Sequence, residues 1–239
     1  MKKKFQKNRG FSLVELIIVI AIMAILAAAI APALIRYIMK ARKSDDRAAA
    51  DSIGTALTAA YSENEDVYRF LHAQSNCIFT DGKEGQGVYR IVCYMQANQS
   101  TSGWENGSGL TNFNHTTPSG QYLDANGNVQ SLSGNALTDF NNEVNDGIKE
   151  TALILSETMG NKIFKLKFTS SHLNQWIVTI DQYDKLHIFI GGGMTSTCEY
   201  INSNHLLSGG SGHRVYEVWP NCDSQYNKLD QPPKSFVTN

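Results

Sequence analysis

The chain has 239 residues, 42% of them hydrophobic and 18% charged, enough for one globular domain of ordinary size beside a membrane segment. Formal net charge is −1, but residues 1–10 hold five Lys or Arg and no acid, so the remainder stands at −6 once those five are taken away. An acidic body of that kind is a poor match for nucleic acid, and no specific nucleic-acid partner is expected.

In chain order, the first predicted element is a short basic segment with Lys2, Lys3, Lys4, Lys7 and Arg9. Residues 16–35 follow without a single charge and with one proline, Pro32. As a helix these twenty residues span roughly 30 Å, the thickness of a bilayer core. Cations flank the run on both sides, with Arg36, Lys40, Arg42, Lys43 and Arg47 beyond it, so the positive-inside rule is nearly balanced. Cys77, Cys93, Cys198 and Cys222 all lie beyond the run, without a CxxC or CxxH spacing, which favours disulfides in an oxidising exterior over zinc and places the N-terminus inside.

The helix is predicted to continue over residues 36–62, rich in Ala, Lys, Arg and Leu and interrupted only by Gly54. Ile53, Ala56 or Leu57, Ala60 and Tyr61 recur at spacings of three and four. Lys43, Asp46, Arg47 and Asp51 fall largely elsewhere, leaving one narrow apolar stripe to be covered. Pro32 removes a backbone donor and predicts a kink or a locally melted stretch.

Residues 88–95 (VYRIVCYM) read as a strand, and residues 98–134 as a long, mostly irregular polar excursion. Residues 136–144 and 148–159 each place apolar residues on one face and predict two short helices. Residues 163–168 alternate Phe164, Leu166 and Phe168 against Lys165 and Lys167, as a strand with one wet face requires. Residues 176–180 and 186–190 flank a turn and predict a hairpin, and 215–219 adds a further strand. The expected fold class is α+β: a long N-terminal helix whose outer half packs on an antiparallel sheet of three to five strands.

One stretch carries the function. Gly10-Phe11-Ser12-Leu13-Val14-Glu15 sets a carboxylate at the border of an apolar helix, where burial costs up to about 2.5–3.5 kcal/mol at the bilayer centre, so Glu15 calls for a partner or a task. The basic leader, Gly10, Phe11, Glu15, the unbroken apolar run and Pro32 together resemble the class III signal peptide of type IV prepilins and pseudopilins, over about a sixth of the chain. Ala24 departs from that pattern, many members having Gly there, which leaves the extent of any loosened segment open.

The resemblance implies a type IV pilin fold organised as a leader at residues 1–10 (removed), a transmembrane and filament-core helix at 11–35, its amphipathic continuation at 36–62, and a globular head at 63–239. It implies cleavage between Gly10 and Phe11 by a prepilin peptidase, N-methylation of Phe11, and assembly in which Glu15 meets the charged N-terminal amine of a neighbouring subunit. Pro32 corresponds to the proline at which the family's helix loosens in filaments. The expected partners are further copies of the chain in a helical homopolymer, the prepilin peptidase, the pilus assembly machinery, and the membrane before assembly. Localisation runs from a single-pass membrane protein to an extracellular pilus. No cofactor and no metal are expected. The pairing favoured for the cysteines is Cys77 with Cys93 and Cys198 with Cys222, one of three possibilities, each bridge contributing roughly 3 kcal/mol in the chain-entropy model.

Rival readings lie close by. A pseudopilin of a type II secretion or competence system shares the motif. Ala29-Ile30-Ala31 resembles an ordinary signal-peptidase site, although Pro32 directly after it, Glu15 and the helical continuation weigh against that reading. A membrane-anchored enzyme lacks a constellation: the six histidines show no HExxH, Gly209-Gly210-Ser211-Gly212 has the wrong spacing for a nucleophile elbow, and Gly191-Gly192-Gly193 reads as a turn rather than a phosphate cradle. Asp124-Ala125-Asn126-Gly127-Asn128 alternates like a calcium loop but lacks the distal Glu and has its glycine one place early.

Overall fold

The computed structural model describes residues 11–72, 89–101, 103–104, 113–115, 121–123, 129–160, 163–181, 183–194, 200–207 and 212–237. Two compact units emerge, Met1–Ala41 and Arg42–Asn239.

In the first unit, helix α1 (Leu13–Glu63) begins; its large apolar side chains from Leu13 to Ile35 are 47–73% exposed. In the single chain the helix runs unbroken across Pro32. A proline inside a helix costs about 3 kcal/mol, and the Ala, Leu and Ile residues around it are good enough helix formers to carry the backbone through.

The second unit opens with the outer part of α1, where Lys43, Asp46, Ala50, Ile53, Gly54 and Leu57 are buried. The steps of three and four mark one helical face, as predicted for Ile53 and Leu57, while Ala56, Ala60 and Tyr61 are only half-buried. Lys43 and Asp46 correct the prediction: both belong to the stripe. Helix α2 (Glu65–His72) follows, its start held by the Asn64 side chain, which accepts from the N–H groups of Asp66 and Val67.

The strands are β1 (Tyr89–Gln96), β2 (Gln99–Ser100), β3 (Phe113–His115), β4 (Gln121–Leu123), β5 (Val129–Ser131), β6 (Ile163–Phe164), β7 (Gln175–Asp181), β8 (Leu186–Gly191), β9 (Tyr200–Ile201) and β10 (Tyr216–Trp219). Among the described residues the main sheet has six strands in the order β10-β8-β7-β1-β3, with β9 also on β1, and all its pairings are antiparallel. The predicted hairpin is β7–β8, in register from Ile180 opposite Leu186 to Gln175 opposite Gly191. β2–β6 and β4–β5 form two small ribbons.

The sheet buries both faces. Every residue of β7 and β8 is buried, so the expected wet face is absent from the centre. Tyr94, Ile177 and Phe189, in register on one face, join Ile91, Met194, Ile201, Leu207 and Val215 in a single cluster. Trp219 lies opposite Ile188 on the other face, and its ring packs on Gly54 of α1, where an added Cβ would sit 2.3 Å from the indole. Gly54 is thus the position that lets the helix approach the sheet.

Where two short helices were predicted there is one, α3 (Gly134–Thr158). Gly147, which lies between the two predicted segments, is helical, and its missing side chain lets α2 come within touching distance: a Cβ there would meet the Asp66 carbonyl oxygen at 2.1 Å. Arg69 of α2 pairs with Glu143 of α3 beside that contact. The strand predicted at residues 163–168 ends after Phe164, for a reason found in α1 and described below. Helix α4 (Ser224–Lys228) closes the described fold, with Asp223 as its N-cap.

Candidate functional site

The N-terminal turn of α1 is built by its own polar residues. The Ser12 N–H donates to Glu15 Oε2 at 2.8 Å, and the Leu16 N–H donates to the Ser12 carbonyl at 3.2 Å. Ser12-x-x-Glu15 therefore supplies the reciprocal half of a capping box, satisfying one of the donors that a helix start leaves open. The carboxylate that the sequence singled out is held one residue from Phe11, whose side chain is 85% exposed. Ser and Glu three residues apart ahead of an apolar run are the sequence signal for that cap. Gly10 lies outside the described residues; Pro32 sits within the continuous helix.

A second polar group joins α1 to the head. The Asp46 carboxylate accepts from the backbone N–H groups of Lys167 and Phe168, both at 2.7 Å, and from the Tyr226 hydroxyl at 3.4 Å. Those two N–H groups are what a longer β6 would have spent on a neighbouring strand, so the strand stops. Burial raises the Asp46 pKa, against the hydrogen bonds from Lys167, Phe168 and Tyr226, with the neighbouring charge of Asp45 adding to the rise. One turn earlier, Lys43 Nζ donates to the carbonyls of Leu229 (2.7 Å), Asn227 (2.8 Å) and Tyr226 (3.4 Å), capping the C-terminal end of α4 where the helix dipole welcomes a cation. The same ammonium lies 5.5 Å from the Phe168 ring centre and 5.9 Å from that of Tyr226. The signal for both residues was the spacing: 43, 46, 50, 53 and 57 continue one three-four pattern that identity as charged residues concealed.

Cys93 is buried mid-β1, where burial pushes its thiol pKa up, and Cys222 is half-buried before α4. Both are free thiols. Their favoured partners, Cys77 and Cys198, lie outside the described residues, as do Asp124–Asn128 and the first three residues of Gly209–Gly212. Gly191 ends β8, and Gly193 at φ +79° turns the chain away from it. Among the described residues no group of three or more His, Cys, Asp or Glu side chains is arranged to hold a metal ion.

Residues 5–31 match the prokaryotic N-terminal methylation motif, the class III signal peptide of the type IV pilin and pseudopilin family. No curated protein and no solved structure matches the chain. The long helix with an antiparallel sheet downstream is an α+β, type IV pilin-like architecture. Motif and architecture support a type IV pilin-like or pseudopilin precursor. The motif implies processing by a prepilin peptidase and membrane anchoring before assembly into a pilus-like filament at the surface or in the periplasm.

Proposed function

We propose that this chain is the structural subunit of a type IV pilus, cut between Gly10 and Phe11, methylated at Phe11 and polymerised on the cell surface through α1. The observation that carries the reading is the bare helix. From Leu13 to Ile35 the large apolar residues lie exposed on every side of α1, a surface that water does not tolerate and that is long and apolar enough to cross a membrane. On leaving the bilayer such helices must bury one another, which makes a filament core with the heads outside. Ala24, Ala27, Ala28, Ala29 and Ala31 permit close approach between neighbours.

In this reading Glu15 has two consecutive roles. Within one subunit it caps its own helix through Ser12; in the filament it answers the amine that cleavage creates on Phe11 of a neighbour, a pairing that is strong in a low-dielectric surrounding when the geometry is good. Pro32 is the point at which the packed helix loosens, and the bridges Cys77–Cys93 and Cys198–Cys222 close once the head reaches an oxidising exterior. The test is mass spectrometry of sheared filaments, under non-reducing conditions, from wild type and Glu15→Val. The expected result is a mature chain beginning at methylated Phe11 that dominates the wild-type preparation, with cleavage retained and filament yield sharply lower in Glu15→Val. A normal yield from the variant removes the role given to Glu15. Absence of the chain from sheared filaments, despite cleavage, favours a pseudopilin, and a mature chain beginning at Pro32 removes both readings.

A further inference from the structure

Five ionisable side chains from separate parts of the head, three buried (Asp181, His187, Glu217) and two half-buried (His205, Asp223), line up in alternation. Asp181 ends β7, His187 lies in β8, Glu217 in β10, His205 in the turn after β9, and Asp223 caps α4. His187 Nε2 is 3.2 Å from Asp181 Oδ2 and its Nδ1 is 2.8 Å from Glu217 Oε1. His205 Nδ1 is 2.9 Å from Asp223 Oδ2, and its Nε2 is 4.0 Å from the second oxygen of Glu217. The five side chains are only 8–20% exposed. Tyr89 of β1 covers the cluster, its ring 4.8 Å from His187 and 6.0 Å from His205, and Phe189 lies 5.3 Å from His205.

The chemistry of such a row depends on protons. A neutral imidazole donates from one nitrogen only, so His187 can serve both of its carboxylates only as the imidazolium. With His187 neutral, Asp181 and Glu217 compete for one donor; its second proton supplies the other donor and removes one unit of uncompensated charge. Burial works against charge on His187, and the hydrogen bonds to Glu217 and Asp181 outweigh it, holding its pKa above the ordinary value. Burial likewise opposes ionisation of Asp181, and the N–H groups of Lys185 and Tyr183 together with His187 outweigh it, holding its pKa below the ordinary value.

We propose that Asp181, His187, Glu217, His205 and Asp223 form a proton-operated latch, which holds β10, and through Asp223 also α4, to the β7–β8 hairpin while the His187 imidazole carries its second proton and loosens as that proton leaves. Asp223 makes the link to α4 twice over, since Oδ1 accepts from the Gln225 N–H at 2.7 Å while Oδ2 meets His205. Its own N–H donates to the Glu217 carbonyl at 2.8 Å. The far end of α4 is the one that Lys43 caps, so the latch governs how firmly the C-terminal segment seats on α1. The sign follows from linkage. His187, raised in the folded state, contributes its stabilisation fully below the unfolded value of about 6.5 and loses it as pH climbs through the folded value. Asp181, lowered in the folded state, contributes above about 3.9 and loses its share as pH falls through the folded value. The latch is therefore tight on the mildly acidic side of neutrality and loosens toward alkaline pH.

The test uses the full chain in detergent micelles, with amide hydrogen exchange read by mass spectrometry from about pH 6 to pH 9 and corrected for intrinsic exchange. Protection over residues 214–229 is expected to fall about tenfold, the equivalent of one pKa unit, while β1 and β7 hold theirs. In His187→Gln that segment is expected to be weakly protected at every pH, and Glu217→Gln is expected to bring the His187 titration down toward the free value. A wild-type segment insensitive to pH, or a His187→Gln chain that keeps the full pH dependence, overturns the latch. Should His187→Gln not fold, exchange at the imidazole C2 position of the wild-type chain decides instead: a His187 titration at or below about 6.5 overturns the proposal.

Discussion

The inner and outer stretches of α1 share one backbone geometry and differ in what their side chains are offered. Between Leu13 and Ile35 the large apolar residues point in every direction and are all exposed, whereas between Lys43 and Leu57 a single stripe is buried and the other faces stay wet. The first stretch is uniform and lacks a preferred partner face, which suits a bilayer and then a ring of identical neighbours. The second is specific: Gly54 admits Trp219, Asp46 collects two backbone N–H groups, and Lys43 caps α4. The inner stretch is generic, and the attachment of the outer stretch to the head is particular.

Substitutions that respect or violate this division break or sharpen it. Asp46→Ala should cost most, about 3–5 kcal/mol, since it strands the buried N–H groups of Lys167 and Phe168 and the hydroxyl of Tyr226 at once; the thermal midpoint of the head, followed by near-UV circular dichroism, reads it, and an unchanged midpoint removes the assigned role. Gly54→Leu comes next, at about 1–3 kcal/mol for forcing a side chain into the Trp219 ring, visible as a lower midpoint with altered tryptophan fluorescence. Ile22→Ala should be smallest, within about 0.5 kcal/mol for a residue 52% exposed in the single subunit. If Ile22→Ala lowered the head's midpoint as much as Gly54→Leu, the division of α1 into a generic and a specific stretch would be wrong.

Much of the fold was legible because its signals are local. The uninterrupted apolar run, the three-four spacing around Ile53 and Leu57, the β-branched and aromatic density of β1 and the turn between β7 and β8 all follow from periodicity and turn chemistry. Three readings failed where a distant partner overruled local pattern. Residues 136–144 and 148–159 read as two helices and are one, with Gly147 as the contact point for α2; residues 163–168 alternate like a strand, yet Lys167 and Phe168 give their N–H groups to Asp46; Lys43 and Asp46 read as lying off the apolar stripe and are buried. His187 and His205 are eighteen positions apart, one in β8 and one in the turn after β9, and it is the Glu217 carboxylate of β10 that stands between them in the fold.

By itself the sequence determined the N-terminal motif: the methylation motif at residues 5–31 and a span of apolar residues long enough to cross a membrane are contiguous, and contiguous signals need no folded surrounding to be read. Only the tertiary structure decided how the head holds that helix, because the groups involved come from residues 43–46, 167–168 and 226–229, and the alternating acid–imidazole row from residues 181 to 223. A buried charge costs too much to stand alone, so its meaning lies in partners that chain order does not reveal.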